Sequence, residues 1–396
     1  MSNFDIQWVR SEADIPPELW ATCFPSPLEG RWWYKALEQS GLQGQFTFFY
    51  AVVSRSGQPV AIAPAFLMDV PARPVVPPAL LPLFDALGKL VPSILHQRTF
   101  FAGSPCSDEG TVGILSGVEP YPVLLCLQRA MRDQAKKLGA PMQVWKDFPQ
   151  SYDSALSQIA ASEGLFRMIS FPGTMAALPE NKERYYTSLN GRHRYLLKKK
   201  LRRSQEAVNL NISILHHPDA TSLDAIFGLF WQTYEKATTK FETLNRTFFS
   251  NIAAHPDAYF ITLSEPNGDM VAFMLCFACG DHIINKFIGI DYERPKEWFL
   301  YFRLWDAAVN WALARKAKAI QSGQTGYKPK IEIGHRLVPL TNYCRHSNPV
   351  IHLIYKLFAK KVTWQTLDND LAVYIKAHPK MAMNVPESIC LPTPAY

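Results

Sequence analysis

Two stretches of the chain share one pattern, in which apolar runs flank a short polar turn. Residues 46–69 place the turn at Ser54–Gly57, and residues 257–278 place it at Pro266–Asp269. Both turns contain glycine, which tolerates the positive φ angles of tight hairpins. The two patterns therefore predict two β-hairpins.

Each predicted hairpin is followed later by a helical pattern and a short strand. In the first half these are residues 120–138 and 141–146, and in the second half residues 297–317 and 318–321. The matching order predicts a duplicated α/β unit. A chance similarity between two ordinary hairpins is the alternative.

The second half contains further elements. Residues 282–290 predict a third strand of a meander, and residues 221–237 and 244–254 predict two helices before it. A glycine and a proline within residues 173–186 predict the junction between the two halves.

These elements predict an α/β fold of two domains. We place the first domain at residues 1–175, the second at residues 176–380 and a tail at residues 381–396. A chain of 396 residues is long enough for two cores.

An apolar, proline-rich insertion interrupts the first half at residues 71–95. It contains six prolines and almost no charge, unlike a solvated linker. One interpretation is a loop and short helix packed on the protein's own core. The alternatives are a hydrophobic lid over a long-chain or lipid-linked substrate and a peripheral contact with a membrane.

Composition narrows the class of protein. The net charge of +7 favours anionic partners such as phosphate-bearing donors, nucleic acid or an acidic membrane face. Cys276 and Cys279 form a CxxC pair without a second pair at zinc-site spacing, which favours buried, reduced thiols over a metal site. The start of the chain shows no signal-peptide pattern, and no apolar run is long enough to span a bilayer, so we expect a cytoplasmic protein.

Residues 182–203 contain nine lysines and arginines against one glutamate. After Asn190 the pattern is helical, and Tyr195, Leu196, Leu197 and Leu201 are expected to form its inner face. Such a helix can bind phosphates without reading sequence, although a solvated face is the alternative. The cationic residues predicted to bind the donor are Arg192, Arg194, Lys198, Lys199 and Arg202.

Residues 321–334, QSGQTGYKPKIEIG, are the most distinctive short stretch. Glycines bound a tyrosine and two lysines that follow a short strand. We expect a polar loop at the strand end, where donors converge on an anion or an oxyanion. A solvated loop with its lysines facing water is the alternative.

Four stretches carry a resemblance to a known family. They are SLNGRHRYLLKKKLRRS, FWQTYEKATTKFETLNRTFFSNI, GIDYERPKEWFLYFRLWDAAVNWALARKAK and SGQTGYKPKIEIGHRLVPLTNY. The chain resembles GNAT-like N-acyltransferases related to the Fem peptidoglycan aminoacyl transferases, and within them a bacterial group of peptidoglycan biosynthesis or recognition acyltransferases. The resemblance covers residues 180–355 well and residues 20–175 more loosely.

The resemblance implies two tandem GNAT-like domains, each a mixed sheet with an antiparallel meander and flanking helices, with a reaction cleft between them. It implies transfer of an acyl or aminoacyl group to an amine on a small molecule or peptide. The chain lacks the usual GNAT pyrophosphate loop after GIDYERPKEW. We therefore expect no tightly bound cofactor, and leave acyl-CoA, carrier thioesters and aminoacyl-tRNA open as donors, with tRNA as a possible partner.

The resemblance also suggests catalytic residues. Lys330 stands four residues before Gly334, as in the YK…G loop of these families, and is expected with Lys328 beside the reacting carbonyl. Tyr327, Asp291 and His335 are candidates for proton handling, with His335 as the group expected to titrate near neutral pH. Gln324, Tyr292 and Tyr234 complete the predicted substrate- and donor-binding set.

We therefore predict an amide-forming acyltransferase. The rival prediction is a non-catalytic protein that binds RNA or an anionic surface through the basic helix on a GNAT scaffold. A binder has no need of the polar QTGYKPK segment beside an aromatic helix, whereas an enzyme does.

Overall fold

The computed structural model describes residues 4–378 except 26–28, 72–95, 238–239 and 241. The predicted insertion at 71–95 lies outside the described residues apart from Pro71, and the predicted tail lies wholly outside them.

The chain forms two compact units that are discontinuous in sequence. The first comprises residues 1–25, 42–171 and 339–396, and the second comprises residues 26–41 and 172–338. These units differ from the continuous domains expected from the sequence, because a short segment near the start belongs to the second unit and the last part of the chain belongs to the first.

The first unit is built on one mixed sheet in the order β1-β2-β3-β4-β6-β15-β7, with β5 beside β3. Its strands are β1 (Phe4–Val9), β2 (Thr47–Arg55), β3 (Gln58–Pro71), β4 (His96–Ala102), β5 (Gly113–Ile114), β6 (Met142–Pro149), β7 (Phe166–Ile169) and β15 (Leu340–His346). Its helices are α1 (Pro17–Cys23), α3 (Pro120–Lys137), α4 (Asp153–Glu163), α11 (Pro349–Ala359), α12 (Trp364–Leu367) and α13 (Asn369–Ala377).

The second unit is built on a mixed sheet in the order β14-β8-β13-β12-β11-β10-β9. Its strands are β8 (Gly173–Ala177), β9 (Asn211–Leu215), β10 (Ala258–Ser264), β11 (Met270–Cys279), β12 (His282–Ile290), β13 (Ala319–Ser322) and β14 (Arg336–Val338). Its helices are α2 (Arg31–Glu38), α5 (Lys182–Ser188), α6 (Gly191–Ala207), α7 (Ala220–Lys236), α8 (Arg246–Ala253), α9 (Leu300–Ala314) and α10 (Tyr327–Glu332).

The two sheets repeat one plan, and the predicted fold class is confirmed. In the first sheet an antiparallel meander β1–β4 leads through helix α3 to β6, which runs parallel to β4. In the second sheet the meander β9–β12 leads through α9 to β13, which runs parallel to β12.

One strand of each sheet explains the discontinuous units. Strand β8 follows the first repeat in sequence but pairs with β13, and β15 follows the second repeat but pairs with β6. The open side of each parallel strand is thus completed from a distant part of the chain. The backbone groups on the open sides of β6 and β13 need hydrogen-bond partners, and this need decides which sheet β8 and β15 join. Local sequence patterns do not encode these distant pairings.

The sequence signals act locally as expected. The first hairpin turns at Ser56 and Gly57, both with positive φ, and the second turns at Gly268, also with positive φ. Helix α9 buries Leu304, Trp305, Ala308 and Ala312 against the second sheet at helical spacing. Among the described helices, none is both long and apolar enough to cross a membrane.

A glycine lets helix α7 approach the second sheet closely. A Cβ on Gly289 of β12 would lie 2.3 Å from a ring carbon of Phe273 and 2.6 Å from the backbone carbon of Leu229 in α7. Neither neighbour can yield easily, because one is a buried ring and the other is backbone.

We predict that Gly289→Ala lowers the free energy of unfolding by about 1–3 kcal/mol, because it overpacks this contact. Urea denaturation followed by circular dichroism measures the change. Gly228→Ala is the matched control, since Gly228 lies in α7, the helix that Gly289 contacts, and has open space where a Cβ would be added. That substitution should stabilise the protein by about 0.5–1 kcal/mol. Equal stability of the Gly289 variant and the wild type would show that α7 is not held close at this point.

Candidate functional site

The segment after β13 is a turn followed by a short helix rather than the loop expected from sequence. Thr325 and Gly326 adopt left-handed backbone angles, and α10 begins at Tyr327. Pro329 lies in the first turn of α10, where its missing N–H is not needed. Gly334, also with positive φ, then turns the chain into β14, and a Cβ there would meet Leu189 at 2.6 Å.

Buried side chains hold the backbone of this segment in place. The Thr174 hydroxyl donates to the Ser322 carbonyl at 2.6 Å, and the Tyr185 hydroxyl donates to the Ile333 carbonyl at 2.6 Å. Tyr327, which is fully buried, donates from its hydroxyl to the Pro172 carbonyl at 2.9 Å. The phenol of Tyr327 therefore anchors the turn.

Lys330 lies in α10 and is only 7% exposed, and its side chain reaches back to the turn. Its ammonium donates to the carbonyls of Gly323 at 2.7 Å and Gln324 at 3.5 Å. The turn that follows β13 thus carries a buried positive charge whose position is set by backbone oxygens. Gln324 contributes its carbonyl to this arrangement, and Lys328, on the same helix, is exposed.

His335 is buried and neutral, which corrects the expectation that it titrates near neutral pH. Burial, with a smaller contribution from the nearby Lys330 charge, lowers the pKa of His335 from 6.5 to about 3. Its ring packs edge-on against Trp305 with the ring centroids 4.8 Å apart. A group with this pKa is a poor general base at neutral pH.

Three neighbouring polar atoms near His335 lack hydrogen-bond partners within the part of the chain that the structure describes. They are the Nδ1 of His335, the indole nitrogen of Trp305 and the hydroxyl of Tyr301. Burial raises the pKa of Tyr301, and the nearby Trp305 indole opposes this shift. Buried polar atoms of this kind are normally satisfied by an ordered water or a ligand.

The basic helix α6 lies beside this region. Lys200 pairs with Glu332 of α10, and its ammonium lies 3.8 Å from the ring centroid of Phe302. Helix α6 and the turn that follows β13 are therefore tied together by a partly buried ion pair.

Most of the predicted cations on α6 face solvent. Arg192, Lys198, Lys199 and Arg202 are exposed, and Arg194 is partly buried. Three of the exposed cations make weak contacts: Lys198 and Lys199 lie 4.9 Å and 5.8 Å from tyrosine ring centroids, and Arg202 lies 3.7 Å from Glu206.

The inner face of α6 differs from the prediction at Tyr195, and Leu196 is only half-buried. Leu197, Leu201 and Ser204 are buried at helical spacing, but Tyr195 is 63% exposed. Tyr195 precedes Leu197 by two residues, about 200° around the helix, and so points away from the core.

Two of the remaining predicted residues, Asp291 and Tyr292, follow the end of β12 rather than lying in the turn that follows β13, and Tyr234 lies in α7. Asp291 accepts from the Glu293 amide at 2.9 Å and from Arg294 at 3.0 Å, so its carboxylate caps the turn. These contacts of Asp291 are structural, and among the described residues none of them reaches Lys330.

Tyr292 contacts one face of α7, and Tyr234 lies on a different face of that helix. The Tyr292 amide donates to Gln232 of α7 at 3.4 Å, and the Lys236 ammonium lies 3.9 Å from the Tyr292 ring centroid. Tyr234 stacks on Trp231 with centroids 5.3 Å apart. Tyr234 lies about 200° around the helix from Gln232 and Lys236, so the two tyrosines do not form one group.

A buried ion pair was missed from the sequence. Lys286 of β12 has a side chain that is only 1% exposed, pairs with Glu29 and lies 4.5 Å from the Trp33 ring centroid. Lys286 lies where the β11–β12 register shifts, just past the last paired residue of β12 with β13. A single lysine within the apolar HIINKFIGI stretch was the available signal, but its partner lies in a distant segment.

Three of the described cysteines are held as neutral thiols by burial. Burial raises the pKa of Cys276, Cys279 and Cys344 to about 12 in each case, so these thiols stay protonated. The cysteines that the structure describes are free, in agreement with the expected reduced state.

Comparison with known proteins places the chain in a family context. Residues 178–372 match the family model described as FemAB-like, peptidoglycan biosynthesis/recognition. The crystal structure of FemX superposes with a TM-score of 0.56 at 12% identity, covering 88% of this chain and 99% of that one. The structure of L-PGS from Bacillus licheniformis gives a TM-score of 0.51 at 11% identity, covering 84% and 97%. No curated protein matches the chain.

At these identities the structural similarities show the fold alone. The family match, however, confirms the predicted relationship to the Fem-type acyltransferases for the region that contains α6, the turn that follows β13 and α10.

The pKa of His335 makes stability depend on pH in a defined direction. Because the pKa is 6.5 when unfolded and about 3 when folded, the unfolded chain binds a proton that the folded chain excludes. Stability from this group is complete above pH 6.5 and is lost as the pH falls toward 3, by up to about 1.4 kcal/mol per pH unit.

We predict that His335→Gln reduces this pH dependence, since glutamine does not titrate. Urea denaturation at several pH values between 6.5 and about 4 gives the slope for each protein. An unchanged slope in the variant would mean that His335 is protonated in the folded state.

Proposed function

From the premise that residues 178–372 belong to the FemAB-like family and that the chain is an acyltransferase of that class, we propose that it transfers an acyl or aminoacyl group from an activated donor to an amine. The observation that carries the proposal is the buried Lys330 ammonium, which donates to the turn that follows β13, together with the neutral His335, whose Nδ1 has no hydrogen-bond partner among the described residues. A solvated loop does not need a buried cation, whereas a developing oxyanion does.

The proposed reaction forms one amide bond. The amine nitrogen attacks the donor carbonyl, the carbonyl oxygen gains negative charge, and the ester or thioester bond then breaks as the C–N bond remains. The proton lost by the amine goes to the departing oxygen or sulfur. Lys330 supplies positive charge that stabilises the oxyanion. Holding the donor and the amine together supplies most of the remaining lowering of the activation barrier.

His335 has a positioning role in this proposal. Its low pKa keeps it neutral, so it does not remove the amine proton at neutral pH. Its Nδ1, together with the Trp305 indole nitrogen and the Tyr301 hydroxyl, provides unsatisfied polar atoms for a water or a substrate group. Two further residues fix the path of the turn: the Tyr327 hydroxyl donates to the Pro172 carbonyl, and the Gln324 carbonyl accepts from Lys330. Lys328 lies nearby in the first turn of α10.

We favour aminoacyl-tRNA as the donor over acyl-CoA or a carrier thioester. The exposed cations of α6 suit a polyphosphate backbone, and exposed aromatic rings such as Tyr292 and Trp231 suit stacking on bases. The two surfaces are linked, because Ser204 at the end of α6 donates to the Trp298 carbonyl and Arg294 lies 5.8 Å from the Trp298 ring centroid.

The family description supports a peptidoglycan-type amine, on a small molecule or peptide, as the acceptor. Tyr292, which follows β12, is proposed to contact donor or acceptor through its exposed ring, whereas the Asp291 carboxylate is engaged in capping the turn. The rival function is a non-catalytic RNA or anionic-surface binder, and the α6 cations alone would serve it. Detection of a transferred group by intact mass spectrometry, after incubation with charged tRNA and a peptidoglycan-precursor peptide, separates the two functions.

We predict that Lys330→Ala slows transfer on the order of 100-fold, because it removes a positive charge from the reacting carbonyl. Lys330→Gln tests the charge separately, since its amide can still donate to the Gly323 carbonyl. It should also transfer slowly while melting close to the wild type.

The control for this series is Lys328→Ala on the exposed side of the same helix, which should reduce the rate less. Turnover rates are measured with the donor that gives product, and folding is checked by thermal melting. If Lys330→Ala and Lys330→Gln both turn over as the wild type does, Lys330 has only a structural role and the proposed reaction loses its basis.

We predict that Lys198→Glu/Lys199→Glu weakens tRNA binding on the order of tenfold and flattens its dependence on salt, because fewer phosphates are neutralised. Filter binding at several salt concentrations measures both effects. Lys136→Glu/Lys137→Glu is the matched control, since it reverses two adjacent exposed lysines at the end of α3. If both double variants bind tRNA as the wild type does, α6 is a solvated face and a smaller thioester donor is favoured.

A further inference from the structure

Helix α11 of the first unit turns an apolar stripe toward solvent. The exposed residues are each 41–66% accessible, and they follow the spacing i, i+3, i+4, i+7, i+8 that normally marks a buried helix face. They are Val350, Leu353, Ile354, Leu357 and Phe358.

The opposite face of the same helix accounts for its folding. Tyr355 and Ala359 pack in a small core with residues of β6, β7 and β15, and His352 packs edge-on against Phe166 with ring centroids 5.2 Å apart. Asn348 caps the helix by accepting from the amides of Val350 and Ile351. The exposed stripe is therefore additional to what the fold requires.

Positive charge surrounds the stripe. Lys356, Lys360 and Lys361 are exposed, and the sequence contains no aspartate or glutamate between Glu332 and Asp368. One of these lysines also acts on His352. The pKa of His352 is lowered first by burial and then by the charges of Lys356, Arg345 and His346.

A pocket of about 450 Å³ lies next to the helix, between α4 and α11. Cationic side chains of Arg167, Lys356 and Lys360 line it together with His352, and Leu165 and Phe166 form its apolar part. Arg167 is partly engaged by Asp153 at 3.2 Å, whereas the two lysines belong to the exposed edge of α11.

We propose that α11 docks the first unit onto an anionic lipid bilayer. The apolar stripe enters the boundary between headgroups and acyl chains, the lysines bind lipid phosphates, and the pocket receives one headgroup. An apolar helix face bordered by lysines and free of acidic groups is the pattern of interfacial membrane helices. A protein partner of mixed charge would not require the absence of acidic residues over this whole segment.

This inference is independent of the proposed transfer reaction. It concerns different residues, in the other unit, and its test uses binding rather than activity. It gives the enzyme a place at a membrane surface, where a lipid-linked acceptor would be concentrated.

The test is sedimentation of the whole protein with large vesicles. We expect binding to an equal mixture of phosphatidylcholine and phosphatidylglycerol, and much weaker binding to phosphatidylcholine alone. Leu353→Ser/Leu357→Ser should lower binding at least about tenfold, because two anchoring side chains are lost. Lys356→Glu/Lys360→Glu should lower it by more than about fivefold and remove the preference for anionic lipid.

The matched control is Ile212→Ser/Ile214→Ser, which removes two similarly exposed apolar side chains from β9 of the second unit. It should bind vesicles as the wild type does. Thermal melting checks that each variant folds, which is expected because all the replaced side chains are exposed.

Two results would overturn the proposal. One is equal binding of the wild type and the Leu353/Leu357 variant to anionic vesicles. The other is a wild-type dimer in sedimentation velocity that this variant converts to monomer without any vesicle binding by the wild type, which would assign the stripe to a second copy of the chain.

Discussion

Buried side-chain donors that bind the backbone carbonyls of residues 322–333 are the constraint on which the candidate site depends. Thr174, Tyr185 and Lys330 each donate to a carbonyl of this segment. A buried carbonyl left without a donor would lose about 1–3 kcal/mol, so each bond fixes the path of the turn. Since Lys330 is one of these donors, the site's positive charge is positioned by the same network that shapes the turn.

The polar groups near the turn are of two kinds. The carbonyls are satisfied, whereas His335 Nδ1, Trp305 Nε1 and Tyr301 Oη lack partners within the described residues. Native proteins rarely leave several adjacent buried polar atoms unsatisfied. The contrast supports the proposed binding of a water or a substrate group at these atoms, and the low pKa of His335 fits hydrogen bonding better than proton removal in that proposal.

Two cationic helices present different surfaces. Helix α6 exposes many cations beside few apolar side chains, Tyr195 being the main one, and so suits the phosphates of a nucleic acid. Helix α11 exposes lysines beside a continuous apolar stripe and so suits a bilayer, which offers both phosphate and hydrocarbon. Net charge alone predicts an anionic partner for both, and only the exposure of the apolar residues separates them.

The sequence by itself determined the local elements and the class of fold. The hairpins, α3, α9 and β12 lie within a few residues of their predicted positions, because alternation, helical spacing and turn residues act over short stretches. The resemblance to the Fem-type family agrees with the family model that matches residues 178–372, and SGQTGYKPKIEIG drew attention to Lys330.

Contacts between distant segments decided the rest. The exchange of β8 and β15 between the two sheets, the pairing of Glu29 with Lys286, and the burial that makes His335 neutral each join residues far apart in sequence. Exposure likewise distinguishes α11, whose apolar spacing predicts a buried face when taken alone but whose apolar side chains are exposed in the structure. Periodicity reports which side chains share a face, but only the tertiary structure decides what that face meets, because burial and pKa depend on every neighbouring element.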